Sequence, residues 1–198
     1  MIAVLFCNCR RSETNSLLQP SQALGTVLAE EVARLAGANK RVAIIRPDAK
    51  WGGVSTAEQL FTAELQKRHF EVMAALPVNV GNPMRRGPIG LGEEDFVNAL
   101  QKSGSAAAIV SFAGAPPLNS ADSTGPGSKH PPVIVVATTS LGNVAGVWSD
   151  PVQLAALLEA DVIQSAIIDN PEPQSRSAKG DATHALFDQH FRILHRMK

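Results

Sequence analysis

The sequence has no tyrosine, and its only other aromatics are seven phenylalanines and two tryptophans. With so few, the positions of Trp51 and Trp148 carry information. An excess of charge of either sign is also absent: Lys plus Arg and Asp plus Glu are 18 each. That balance excludes the electrostatic footprint of a nucleic-acid-binding or anionic-membrane-binding surface. Cysteine is nearly absent too. Cys7 and Cys9 are separated by one residue, which excludes a strain-free disulfide between them. No histidine pair accompanies them, so they make no zinc site. Long apolar runs are missing: Met1–Phe6 is wholly apolar but too short to span a bilayer.

The motifs of several α/β chemistries are also missing. No G-x-G-x-x-G follows a strand, which argues against a dinucleotide cofactor. There is no G-x-x-x-x-G-K-[ST] phosphate loop and no G-x-S-x-G nucleophile elbow. His184, His190 and His195 are spaced by six and five residues. On a helix that spacing scatters them around the axis, so they are read as surface residues and not as metal ligands. No cofactor and no metal are expected, and the sequence shows no internal repeat.

What is present centres on Lys40–Met73. Val42–Ile45 is a short, apolar, β-branched run, as a strand covered on both faces would be, and Pro47 ends it. Ser55 and Glu58 form an S-x-x-E capping box, so a helix starts near Thr56. Ala57, Leu60, Phe61 and Leu65 recur at helical spacing. A second strand follows at Phe70–Leu76. The result is a βαβ unit.

At 198 residues, one domain is the default. The division expected is 1–20, an apolar stretch with a polar tether, and 21–198, a single α/β domain. Pro20-Ser21 open a helix to about Ala36, with Leu24, Val27, Leu28, Val32 and Leu35 as its buried stripe. Glu30, Glu31 and Arg34 fall on its wet side, and Arg10–Gln19 is read as unstructured. Pro77–Gly92 reads as a long loop with a solvated Arg85-Arg86 pair, before a helix opened by Glu93-Glu94-Asp95. Ala106–Phe112 and Val133–Ala137 read as buried strands, with the irregular Ala113–Pro132 between them. A short strand is expected at Val144–Trp148. Asp150, Pro151 and Gln153 supply an N-cap, a proline at the first helical position and a capping glutamine. A strand at Val162–Ile168, a linker at Pro171–Asp181, a helical Leu186/Phe187/Phe191 pattern and a strand-like Phe191–Leu194 complete the chain. Strands alternating with helices predict a Rossmann-like three-layer sandwich: a mostly parallel sheet of about six strands with helices on both faces.

In open α/β sheets, ligands bind outside the carboxyl ends of the strands. The residues read there are Asp48, Trp51, Ser55, Phe112, Thr138, Thr139, Ser140, Trp148, Asp150 and Asp169. Aromatic faces beside short polar side chains suit a small polar or sugar-like ligand. Backbone N–H groups at Ser55–Ala57 would suit an anion. The competing reading of Ser55 and Asp150 is that they are helix caps and nothing more.

Gln22-Ala-Leu-Gly-Thr-Val-Leu-Ala-Glu-Glu-Val-Ala-Arg-Leu-Ala-Gly, followed by Lys-Arg-Val-Ala-Ile-Ile-Arg-Pro, resembles the helix–strand entry to a lobe of type I periplasmic binding proteins and LacI-type sensor domains. Gly52–Phe70, then Val144-Ala-Gly-Val-Trp-Ser-Asp-Pro with Leu154–Val162 and Gln164–Asp169, is similar to that family's later elements. The likeness covers about Gln22–Pro171. It implies that Asp48, Trp51 and Ser55 line a cleft, with Thr139, Trp148 and Asp150 on neighbouring loops. Family members clamp ligand between two lobes, whereas this chain has length for one. A homodimer or a membrane transport partner would then supply the other wall.

These readings lead to a non-enzymatic, exported binding domain for a small polar ligand. Its location would be periplasmic or cell-envelope, with Met1–Phe6 as a signal remnant and Cys7 or Cys9 as a lipidation site. Membrane contact would come only through that anchor, and nucleic acid is not a partner. The alternative location is cytoplasmic. A second functional expectation is a transferase or hydrolase on the same sheet, using Asp48 or Asp150. A third is a protein-interaction module.

Overall fold

The apolar runs become the strands of one sheet. The computed structural model describes residues 10–48, 50, 54–81, 90–117, 119, 130–139, 150–172 and 181–196, with backbone only for 10–18. In chain order the elements are α1 (Arg10–Ala36), β1 (Arg41–Pro47), α2 (Thr56–Lys67), β2 (Glu71–Val78), α3 (Glu93–Lys102), β3 (Ala108–Ser111), β4 (Val133–Ala137), α4 (Pro151–Glu159), β5 (Ser165–Asp169), α5 (Ala182–His190) and β6 (Phe191–His195). The six described strands lie in the order β2-β1-β3-β4-β5-β6. The first five are parallel, and β6 returns antiparallel along β5. This is the mostly parallel, helix-covered Rossmann-like sheet that the alternating pattern predicts.

The two-residue period of each strand divides the core. Val42 and Ile44 of β1, Val110 of β3 and Ile134 and Val136 of β4 face α1, α2 and α5. Ala43, Ile45, Ile109, Val133 and Val135 face the opposite way, toward α3 and α4. Burial on both faces explains why these strands are continuous apolar runs and do not alternate. The α1/α2 contact is close at Gly25. A Cβ there would lie 2.9 Å from Phe61 N and 3.0 Å from the Leu60 carbonyl carbon. Gly25→Ala should therefore destabilise by about 1–3 kcal/mol through overpacking, despite alanine's better helix propensity. A fall in the urea midpoint checks this, and an unchanged or raised midpoint would show that the helices separate freely.

Several expectations need correction. Segment 10–19, read as an unstructured tether, is part of α1, and Pro20 lies inside that helix. Proline suits a first turn, which is why the sequence suggests a start there. A longer helix can also continue through it, losing the one amide hydrogen bond proline cannot make. Glu31, placed on the wet side of α1, is 5% exposed and bonded to Arg34. β2 does not stop at Leu76 but runs through Pro77 to Val78. Among the described strands it has a neighbour on one side only, an edge position where a missing N–H is tolerated. The sixth described strand is the C-terminal β6. The strand expected at Val144–Trp148 lies outside the described residues, as does Arg85-Arg86.

Candidate functional site at the carboxyl edge of the sheet

Strand order reverses between β1 and β3: the chain goes from β1 outward to β2, then crosses back to β3 on the other side of β1. In open parallel sheets such a reversal is where a crevice forms, outside the carboxyl ends of the two strands. Asp48 follows β1 directly. Its N–H donates to the Val78 carbonyl at 2.9 Å, and its Oδ1 accepts from Lys50 N at 2.9 Å. Ser55 then caps α2, its Oγ accepting from Glu58 N at 3.1 Å. On the β3 side, buried Ser111 donates its hydroxyl to the Gly114 carbonyl at 2.7 Å. Gly114 has φ +85°, a conformation that suits glycine and turns the chain sharply after the strand.

Farther along the same edge, Thr139 donates both its N–H and its Oγ1 hydroxyl to Asp169 Oδ2, each at 2.6 Å. That ties the ends of β4 and β5 together. Asp150 caps α4 through Val152 N at 2.9 Å, with Pro151 at the first helical turn. The capping reading therefore accounts fully for the described bonds of Ser55 and Asp150. Phe112 is drawn into the core: it is 3% exposed and packs on Phe61 with ring centroids 5.8 Å apart. Trp51, Trp148, Ser140, Cys7 and Cys9 lie outside the described residues.

One charged pair at this edge has no local sequence signal. Glu58 is 2% exposed, and its Oε1 lies 2.9 Å from Arg46 Nη2 of β1. The sequence marks Glu58 as half of a capping box. The Ser55 half forms, but the Glu58 carboxylate turns to the arginine instead. Burial pushes the Glu58 pKa up, and Arg46 opposes the rise. Among the described residues, Arg46 Nε and, at the end of β4, Thr138 Oγ1 are buried without hydrogen-bond partners. Arg46 and Glu58 are twelve residues apart, on different element types, so only the fold brings them together.

The described side chains at this edge offer hydrogen-bonding groups and one ion pair. Asp48 and Asp150 both accept from backbone N–H groups, unlike a free general acid or base. Among the described residues no group of three or more His, Cys, Asp or Glu side chains is placed to hold a metal ion. A separate groove of about 550 Å³ lies on the outer helical layer, between α1, α2 and α5. Ala23, Thr26, Leu60, Lys67, Thr183 and Leu186 are among its lining residues. Sequence reasoning missed it because three elements distant in the chain form it. Among the described residues, no helix is long and apolar enough to cross a membrane. Compared with known protein families and with curated proteins, the chain matches none.

Proposed function

We propose that this chain is a non-enzymatic binding domain that takes a small polar ligand at the carboxyl edge of its sheet, outside β1 and β3. The observation that carries the reading is the strand order β2-β1-β3-β4-β5, with its reversal beside β1. In open parallel sheets such a reversal is where ligands bind. The hydrogen-bonding groups of Asp48, Ser55 and Thr139, together with Arg46, supply polarity along that edge. An exported, cell-envelope location belongs to the same reading. Its support is the apolar Met1–Phe6 ahead of Cys7 and Cys9, as in a lipid-anchored binding component. A second copy or a transport partner would close the open side of the crevice.

The test is a thermal-shift screen of the full chain against sugars, amino acids, nucleosides and simple anions, with tryptophan fluorescence as second readout. A ligand at 100 times its Kd should raise Tm by roughly 5–10 °C. Asp48→Ala and Trp51→Ala should abolish that rise while keeping the folded circular dichroism spectrum. Silence across the panel would sink small-ligand binding by this chain alone. A hit unaffected by both variants would move the site elsewhere, with the α1/α2/α5 groove the first place to look.

A further inference from the structure

Two histidines from the C-terminal unit, α5 with β6, reach two consecutive glutamates of α1. His184 of α5 places Nε2 2.8 Å from Glu30 Oε2 and Nδ1 3.2 Å from Asp181 Oδ2. His195 of β6 places Nδ1 3.6 Å from Glu31 Oε1. Both ring nitrogens of His184 thus face carboxylate oxygens. An ionised carboxylate only accepts, so both nitrogens must donate, and a neutral imidazole has a single N–H. The geometry around His184 is that of an imidazolium.

We propose that His184 is a proton-operated clamp: its imidazolium holds the C-terminal unit against α1, and loss of one proton loosens that unit. The charged groups around it come from three elements. Asp181 is the N-cap of its own helix α5. Glu30 belongs to α1. Arg68, the C-cap of α2, holds the other Glu30 oxygen, Oε1, at 2.9 Å. Neighbouring His195 faces Glu31, which Arg34 holds at 2.8 and 2.6 Å. When His184 loses a proton, Glu30 keeps Arg68 and Asp181 keeps its capping bond to Thr183 N at 3.0 Å. The neutral ring keeps one N–H, so one of the two imidazole contacts loses its hydrogen bond and both lose the attraction of the ring's positive charge.

Burial opposes the His184 charge, but Asp181 and Glu30 outweigh it and raise the pKa above its ordinary value of 6.5. A histidine raised in the folded state stabilises fully below the unfolded value. That stabilisation disappears as pH climbs through the folded value. The clamp is closed in mild acid and open in alkali. Its consequences are local. Ala182, Thr183 and Leu186 of α5 line the outer groove, and β6 lies beside β5 at the end of the row of described strands. The clamp sets how firmly both are held.

Amide hydrogen exchange on the full chain at pH 5.5 and 8.5, corrected for intrinsic rates, tests this. Protection of α5 and β6 relative to β1, β3 and β4 should fall about two- to fivefold at pH 8.5, the scale of one partly exposed charged pair. His184→Gln keeps a donor without titrating, so its ratio should be the same at both pH values. His195→Gln should retain the drop. An NMR titration of His184 should show a midpoint above 6.5. A pH-independent ratio in the wild type, a drop that survives His184→Gln, a drop abolished by His195→Gln, or a midpoint below 6.5 each overturns the clamp.

Discussion

Arg46→Ala is expected to lower stability by about 3–5 kcal/mol at pH 8, because it strands the carboxylate of Glu58 in the interior. The side chain of Arg46 is 25% exposed, which favours the lower end. The pH dependence has a definite sign. Burial already raises the Glu58 pKa above 4.5, and Arg46 is the opposing influence. Without Arg46 the group titrates higher still. The folded state then binds the extra proton, so stability falls as pH rises from about 4.5 through the folded value. The deficit of the variant should therefore be full at pH 8 and shrink in acid. Urea unfolding of both proteins at pH 8 and pH 4 measures it. The pair Arg46→Met with Glu58→Leu should recover most of the loss, since no charge is left buried. An equal deficit at both pH values, with no recovery in the double variant, would show that lost packing is the cause.

Phe61→Ala should cost about 3–5 kcal/mol, a large part of the 5–15 kcal/mol that holds a typical domain folded. Phe61 is fully buried and lies at the α1/α2 contact, where its backbone N is the nearest atom to the space above Gly25. Its ring rests on Phe112 at the end of β3. Removing it opens a cavity that three elements border. A double-mutant cycle with Phe112→Leu should show a coupling of about 0.5–1.5 kcal/mol. Additive losses would mean that the rings pack independently, and Phe112 would then return as a candidate for the crevice wall.

That placement of Phe112 shows where sequence reasoning stops. Its position just after a strand is legible, and so is its place at the ligand-binding edge of an α/β sheet. Which way the ring turns depends on α2 arriving above it, a contact across fifty residues. Glu31 fails for a related reason. Helical spacing puts it on the polar side of α1, but α5 and β6 return to cover that side, and Arg34 satisfies the charge. The strands are the opposite case. Val133–Ala137 is legible to the residue, because a strand covered on both faces must be apolar throughout and here prolines bound it upstream.

At the candidate site, residue types at loop starts were legible and partnerships were not. Asp48, Ser55, Thr139 and Asp150 each lie at the carboxyl edge, where the alternating pattern puts them. Their hydrogen bonds split them into two caps, one turn and one strand-end tie. The Arg46–Glu58 pair and the His184 contacts depend on tertiary arrangement, for which no spacing rule exists. Glu58 is instructive, because its capping-box spacing gave it a sufficient local explanation that its carboxylate does not follow.

The most direct test of the central claim is an NMR chemical-shift map of the isotope-labelled chain, titrated with each class in the ligand panel. A small polar ligand at the carboxyl edge should perturb amides at Asp48, Ser55–Ala57, Ala113–Gly114 and Thr138–Thr139, and leave Ala182–Leu186 unmoved. Shifts confined to Ala23, Leu60 and Ala182–Leu186, or no shifts with any class, would contradict it.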